Sequence, residues 1–386
     1  MTHRERVLTA LNHEEPDRVP IDLGGTCVTS IAASTYQTLR RQLGLSEKEI
    51  RISEIVQQVA WVDHDVMDVL GVDIIPVWPN GGSKYQMVLK DEGGGVTSFK
   101  DEFGATLRKP KDSHYYDWVE FPLPEPTIEA LNAMPWPETE DPARYDGLRE
   151  RVLKLRSETD YALFGMAPSG HDLFNQLFRV RGMVNGMTDL LLEPDFAEAF
   201  FDRLTATIMR NQELFLNEVG DLIDIHFTAD DLSGQSAPLV SPEIYRRLIK
   251  PRWARIISLI KSKTEAKIFY HTCGAVDEFI PDLIEMGVDI LNPVQVVAPG
   301  MDSAELKRKY GDKLSFWGGG CDTQRVLPFG TPAEVRAEVR RRIGDLAPGG
   351  GFVFNPVHNI QPGVPAANVV ELFRAAQTFG TYPISD

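Results

Sequence analysis

The sequence predicts an α/β protein, a single (β/α)8 barrel over positions 1–386 with a β-hairpin inserted after its second strand. Three observations predict it. Eight short apolar runs recur along the chain, near-continuous as parallel strands covered on both faces must be. Most are separated by segments of helical periodicity. Polar, chemistry-bearing residues gather just after the runs, where a barrel of this kind builds its site.

Taken in chain order, Thr2 with Glu5 forms a capping box that opens the first helix. The first run, 19–23, ends in Gly24-Gly25-Thr26-Cys27, and the second occupies 72–77. Between 81 and 110 the pattern changes to short alternation around Asp91-Glu92-Gly93-Gly94-Gly95, the mark of a hairpin. A proline-rich connector spans 122–137. The third run, 161–167, leads to Ser169-Gly170-His171, and the fourth, 222–228, to Asp230-Asp231. Ser241-Pro242-Glu243 then starts a helix with proline at its first position. The fifth run, 266–271, ends in His271-Thr272-Cys273-Gly274, and the sixth, 288–293, brings Asn292 and Gln295. The seventh, 313–318, leads to Cys321-Asp322. Thr331-Pro332-Ala333-Glu334 combines cap and proline before the eighth run, 351–355, which is followed by His358-Asn359.

Composition narrows the function. A net charge of −16 repels phosphate backbones, which disfavours nucleic acid as a partner. No apolar stretch is long enough to span a membrane and positions 1–11 are charged, so a cytoplasmic protein is expected. Three cysteines, Cys27, Cys273 and Cys321, are too few for a disulfide framework and point to thiol or metal chemistry. A doubly wound sheet is the rival fold, but neither Asp22-Leu23-Gly24-Gly25-Thr26 nor the later triple glycines have the G-x-G-x-x-G spacing of a dinucleotide turn.

His271 and Cys273 are one residue apart at a strand end, so both side chains leave the same face and converge on one ion. Imidazole plus thiolate is a pair zinc prefers, with Cys321 or His358 available to complete an open site. The competing reading has Cys273 packed as a small apolar residue and His271 bonded to a backbone carbonyl. Adjacent Asp230 and Asp231 point different ways, so one faces a substrate or caps the following helix. His171 is a candidate general acid or a hydrogen-bonding spacer. Cys27 lacks an evident base, while Gly24 and Gly25 let backbone approach a ligand closely. Pocket walls are expected from 81–110 and 173–187.

Several motifs occur together: Arg4-Glu5-Arg6-Val7-Leu8-Thr9-Ala10-Leu11, Pro16-Asp17-Arg18-Val19-Pro20, His271-Thr272-Cys273-Gly274, Asn292-Pro293-Val294-Gln295 and Asp322-Thr323-Gln324. With them the chain resembles the uroporphyrinogen decarboxylase superfamily of (β/α)8 barrels, and within it the corrinoid-dependent methyltransferase branch. That resemblance implies zinc held by His271 and Cys273. The branch's third ligand is a cysteine in the last-strand loop, where this chain has His358. It also implies a corrinoid (cobalamin) cofactor on a partner protein, since Asp224-Ile225-His226-Phe227-Thr228-Ala229 lacks the glycine of the corrinoid-binding D-x-H-x-x-G signature. Gly24, Gly25, Asn292 and Gln295 would leave room for and contact that cofactor, with Asp230, Asp231 and His171 positioning a small methyl donor such as an aryl methyl ether, methylamine or methyl thiol. Barrels of the family often pair, so a homodimer is implied. The decarboxylase branch, the alternative, places an arginine-rich segment after the first strand, whereas positions 23–38 contain neither Arg nor Lys.

Overall fold

The computed structural model describes residues 1–168 and 172–384. Seven parallel strands form one curled sheet in the order Ile74–Val77, Ala162–Gly165, Ile225–Ala229, Lys267–His271, Ile290–Asn292, Ser315–Trp317 and Phe352–Val353. Sequential strands lie side by side because each connection carries helix back over the sheet, the usual route between parallel neighbours. The run at 19–23 forms no regular strand, yet it reaches both edges of the sheet. Asp22 N donates to Phe354 O (2.9 Å), Phe354 N to Pro20 O (2.8 Å), and Asp73 N to Ile21 O (2.8 Å). Of the eight expected runs, seven contain strands, each shortened or shifted by a few residues.

Alternation along the strands separates two apolar layers. Phe164, Phe227, Phe269 and Trp317 face inward, with Phe164 and Phe269 edge-to-face at 4.9 Å and Phe269 and Trp317 at 5.5 Å. Ile268 and Tyr270 face outward into the larger core beneath the helices. Each fully buried aromatic stabilises the fold by roughly 1.5–3 kcal/mol. The same alternation sets His271 on the inward face, two residues past Phe269, at the carboxyl end of its strand.

Helix starts follow the expected signals. Thr2–Glu5 and Thr331–Glu334 form capping boxes, and Ser241 accepts from Ile244 N ahead of Pro242. The insertion after Ile74–Val77 is larger than a hairpin. Lys90–Gly93 and Val96–Lys100 pair about Gly93, Gly94 and Gly95, all at positive φ, and Thr106–Lys109 and Asp117–Glu120 extend them to four antiparallel strands. The fourth strand lies beyond position 110. Its register sets Leu107 opposite Trp118, which packs beside the insert's own small core of Phe99, Leu107 and Tyr116. Within the proline-rich connector, Thr127 caps a short helix, Ile128–Ala133. Among the described residues no helix is long and apolar enough to cross a membrane.

Candidate metal centre

His271 is the last residue of its strand and Cys273 follows two positions later, so Cys273 Sγ lies 3.4 Å from His271 Nε2. The loop after Phe352–Val353 delivers His358, whose ring meets that of His271 at 5.4 Å between centroids, inclined by 66°. One donor atom from each of His271, Cys273 and His358 lies within 4.8 Å of the others. His271 is buried, whereas Cys273 and His358 are partly buried, and His271 and His358 border a cavity. Burial pushes the Cys273 thiol well up, with the Asp231 carboxylate adding to it. Burial also lowers His358, to about 4, with His271 next in effect, so His358 is a neutral imidazole at pH 7.

The surrounding side chains hold this group in place. Asp231 Oδ1 accepts the Cys273 N–H at 2.7 Å and stands 3.8 Å from His271 Nε2. Asn292, whose register partner is His271, places Oδ1 at 2.6 Å from His271 Nδ1. Gln295 Oε1 accepts from Gly274 N at 2.6 Å and its Nε2 donates to Gln235 Oε1, which ties down the loop after Cys273.

The remaining sequence candidates fall elsewhere. Cys321 is fully buried in the outer core, its Sγ 3.9 Å from Asp322 O, and it is not part of the cluster; His358 is. Asp230 and Asp231 diverge as adjacent residues must. Asp231 lines the cavity, while buried Asp230 accepts from Phe174 N, Asn175 N and Trp253 Nε1, holding the start of the helix Phe174–Arg181. Gly24, at φ +95°, lies where a Cβ would come within 2.7 Å of Val62, and Gly25 N donates to Asp22 Oδ1. These two glycines shape a turn, and Cys27 beyond them borders the cavity. His171, with Ser169 and Gly170, lies outside the described residues.

The cavity measures about 440 Å³ and has His271, His358 and Asp231 in its lining. Its outer wall comes from Tyr115, Tyr116, Asp117 and Trp118, beyond the expected 81–110, and from Arg179, inside the expected 173–187. Arg179 bonds to Asp172 at 2.5 Å and lies 5.1 Å from the Trp118 ring centre. Glu54 also borders the cavity, its carboxylate accepting from Val56 N and Gln57 N. Sequence reasoning singled out none of Glu54, Asp172, Arg179 and Trp118, although Arg179 falls within the expected 173–187, because no motif or spacing rule marks them. A second cleft, of about 560 Å³, opens at the opposite end around Arg4, Asp224 and Lys263, and contains no histidine or cysteine. That amino-terminal end is the one that serves stability in folds of this kind.

Fold and site together define an α/β protein with a curled parallel sheet and a candidate His-Cys-His metal centre at its carboxyl end. Residues 116–379, more than half of the chain, match the model of the uroporphyrinogen decarboxylase (URO-D) family, and the chain belongs to that family. A curated uroporphyrinogen decarboxylase from Thioalkalivibrio sulfidiphilus is 25% identical over 170 residues, 41% of this chain and 46% of that one. Another, from Chlorobium phaeobacteroides, is 22% identical over 228 residues, 57% of this chain and 60% of the relative. The matches thus span about half the length of these curated relatives. A solved methyltransferase from Methanosarcina mazei superposes with a TM-score of 0.64, covering 98% of this chain and 99% of that one at 18% identity. This is a likeness of fold.

Proposed function

We propose that this chain is a zinc-dependent methyltransferase that moves a methyl group between a small methyl donor and a corrinoid carried by a partner protein. The observation that carries the reading is the convergence of His271, Cys273 and His358 within 4.8 Å, with His271 and His358 in the lining of a cavity. The reading takes the sheet as a (β/α)8 barrel closed through positions 20–22, and the whole chain as one domain. The donor set suits zinc: two imidazoles and one thiol, partly open on one side, as in a catalytic rather than a structural site. Zinc held there would act as a Lewis acid on the atom that loses or gains the methyl group.

The chain's own residues do the rest. Asp231, with its side chain 43% exposed, fixes Cys273 through the backbone N–H and stands ready to take the proton that the thiol gives up on becoming a ligand. Tyr115, Tyr116 and Trp118 line the cavity with aromatic surface. The fold likeness to a methyltransferase from Methanosarcina mazei is in keeping with the reading.

The names of the curated relatives favour a second reading, decarboxylation of a tetrapyrrole or smaller aromatic acid. A substrate with eight carboxylates needs several arginines. Positions 23–38 have none, and the arginine in the cavity lining, Arg179, is already bonded to Asp172.

The test is methyl transfer to free cob(I)alamin, followed by absorbance, across methoxylated aromatics, methylamines and methyl thiols. At least one donor class is expected to react with the zinc-loaded protein, and Cys273→Ser should lower the rate on the order of 100-fold or more. Release of CO2 from an aromatic or tetrapyrrole acid by zinc-free protein, undiminished in Cys273→Ser, would establish the second reading instead.

A further inference from the structure

We infer that Asn292 is a positioning residue that locks His271 into one tautomer and so presents Nε2, with its lone pair bare, to the cavity. The lock follows from the two ends of one amide. Asn292 Nδ2 lies 2.8 Å from the carbonyl oxygen of Trp317, an atom that only accepts, so the NH2 end of the amide must be the end facing it. The other end, Oδ1, then faces His271 Nδ1 at 2.6 Å. An amide oxygen cannot donate, so Nδ1 carries the hydrogen. A neutral imidazole has one N–H, which leaves Nε2 as an acceptor.

Two further features agree with this assignment. Cys273 Sγ sits 3.4 Å from Nε2, a spacing at which the bare nitrogen of this tautomer can accept from the thiol. Gly318, at φ +86°, lies against the amide. A Cβ there would come within 3.2 Å of Asn292 Nδ2 and 3.0 Å of Pro356 O, so the missing side chain leaves the amide undisturbed. Burial strengthens the arrangement, because Asn292 is 1% exposed and water has little access to either hydrogen bond. Backbone register makes it possible: His271 and Asn292 are partners on adjacent parallel strands, and Trp317 ends the next strand over.

The consequence for metal rests on the function proposed above. A ligating histidine held by an outer hydrogen-bond partner loses about 10–100-fold in metal affinity when that partner is removed. Binding to the preset pair would release the thiol proton while the other proton stays on His271 Nδ1, donated to Asn292 Oδ1.

The test uses the full chain with 15N-labelled histidine, first without metal at about pH 8, above the ordinary histidine range. The ring-nitrogen NMR spectrum is expected to show His271, assigned by its loss in His271→Ala, with Nδ1 protonated and Nε2 bare. In Asn292→Ala this signature should give way toward Nε2–H, with zinc affinity, measured by competition with a chelator, falling about 10–100-fold. A wild-type spectrum with the proton on Nε2 overturns the inference whatever the variant does. A folded Asn292→Ala protein with unchanged tautomer and unchanged zinc affinity overturns it too. Failure of every form to bind zinc counts against the proposed function, while the metal-free spectrum still decides the tautomer.

Discussion

Asp230 and Asp231 show how far one residue's shift in position changes its chemistry. Asp231 reaches the cavity, whereas Asp230 turns behind the strand and has burial push its carboxyl up to about 7, with Asp172 as the next cause. In the unfolded chain the same carboxyl titrates near its ordinary 3.8. The folded state therefore holds a proton between about pH 4 and 7 that the unfolded state has lost. The stability this group contributes is full below about pH 4 and declines as pH rises through 7. Denaturant unfolding of wild type and Asp230→Asn across that range should show the difference between them shrinking with rising pH. A difference that is flat or grows would remove Asp230 as the titrating group. The sequence placed two carboxylates at this strand end but could not say which one faced inward, since that depends on where the chain leaves the pleat after Ala229.

At the scale of elements, the helix Phe174–Arg181 joins the parallel sheet to the insertion. Its start is held by Asp230 and its end by Arg181, which bonds Asp189 at 2.6 Å and donates to Leu123 O at 2.9 Å. Arg181 and Asp189 are each only 5% exposed, so removing one leaves an unpaired buried charge. Arg181→Ala should lower the unfolding free energy by about 3–5 kcal/mol, and replacing both partners by apolar residues, Arg181→Met with Asp189→Leu, should recover most of it. A single variant with near wild-type stability in denaturant unfolding would contradict this account of the junction. The elements themselves were largely legible: capping boxes at Thr2 and Thr331, the Gly93-Gly94-Gly95 turn and seven of the eight apolar runs are local signals. The strand Asp117–Glu120 was not, because its alternation is only four residues long and its partner lies back at Thr106–Lys109. That long-range pairing is what moves Trp118 and its neighbours into the cavity wall.

At the scale of the whole molecule, the curled sheet gathers residues far apart in sequence at one end: Glu54, Trp118, Asp231, His271 and His358 line a single cavity. Strand-end positions made His271, Cys273 and Asn292 visible in the sequence, while the choice between Cys321 and His358 needed the path of two loops in space. Family membership rests on residues 116–379, and the proposed chemistry rests on the three-residue cluster. The most direct test of that cluster is zinc titration of the metal-free chain beside Cys273→Ser, His358→Ala and Cys321→Ser. The account predicts about one zinc per chain for wild type and Cys321→Ser, with affinity reduced on the order of 100-fold or more in Cys273→Ser and His358→Ala. No zinc uptake by wild type, or uptake lost in Cys321→Ser and retained in His358→Ala, would contradict it.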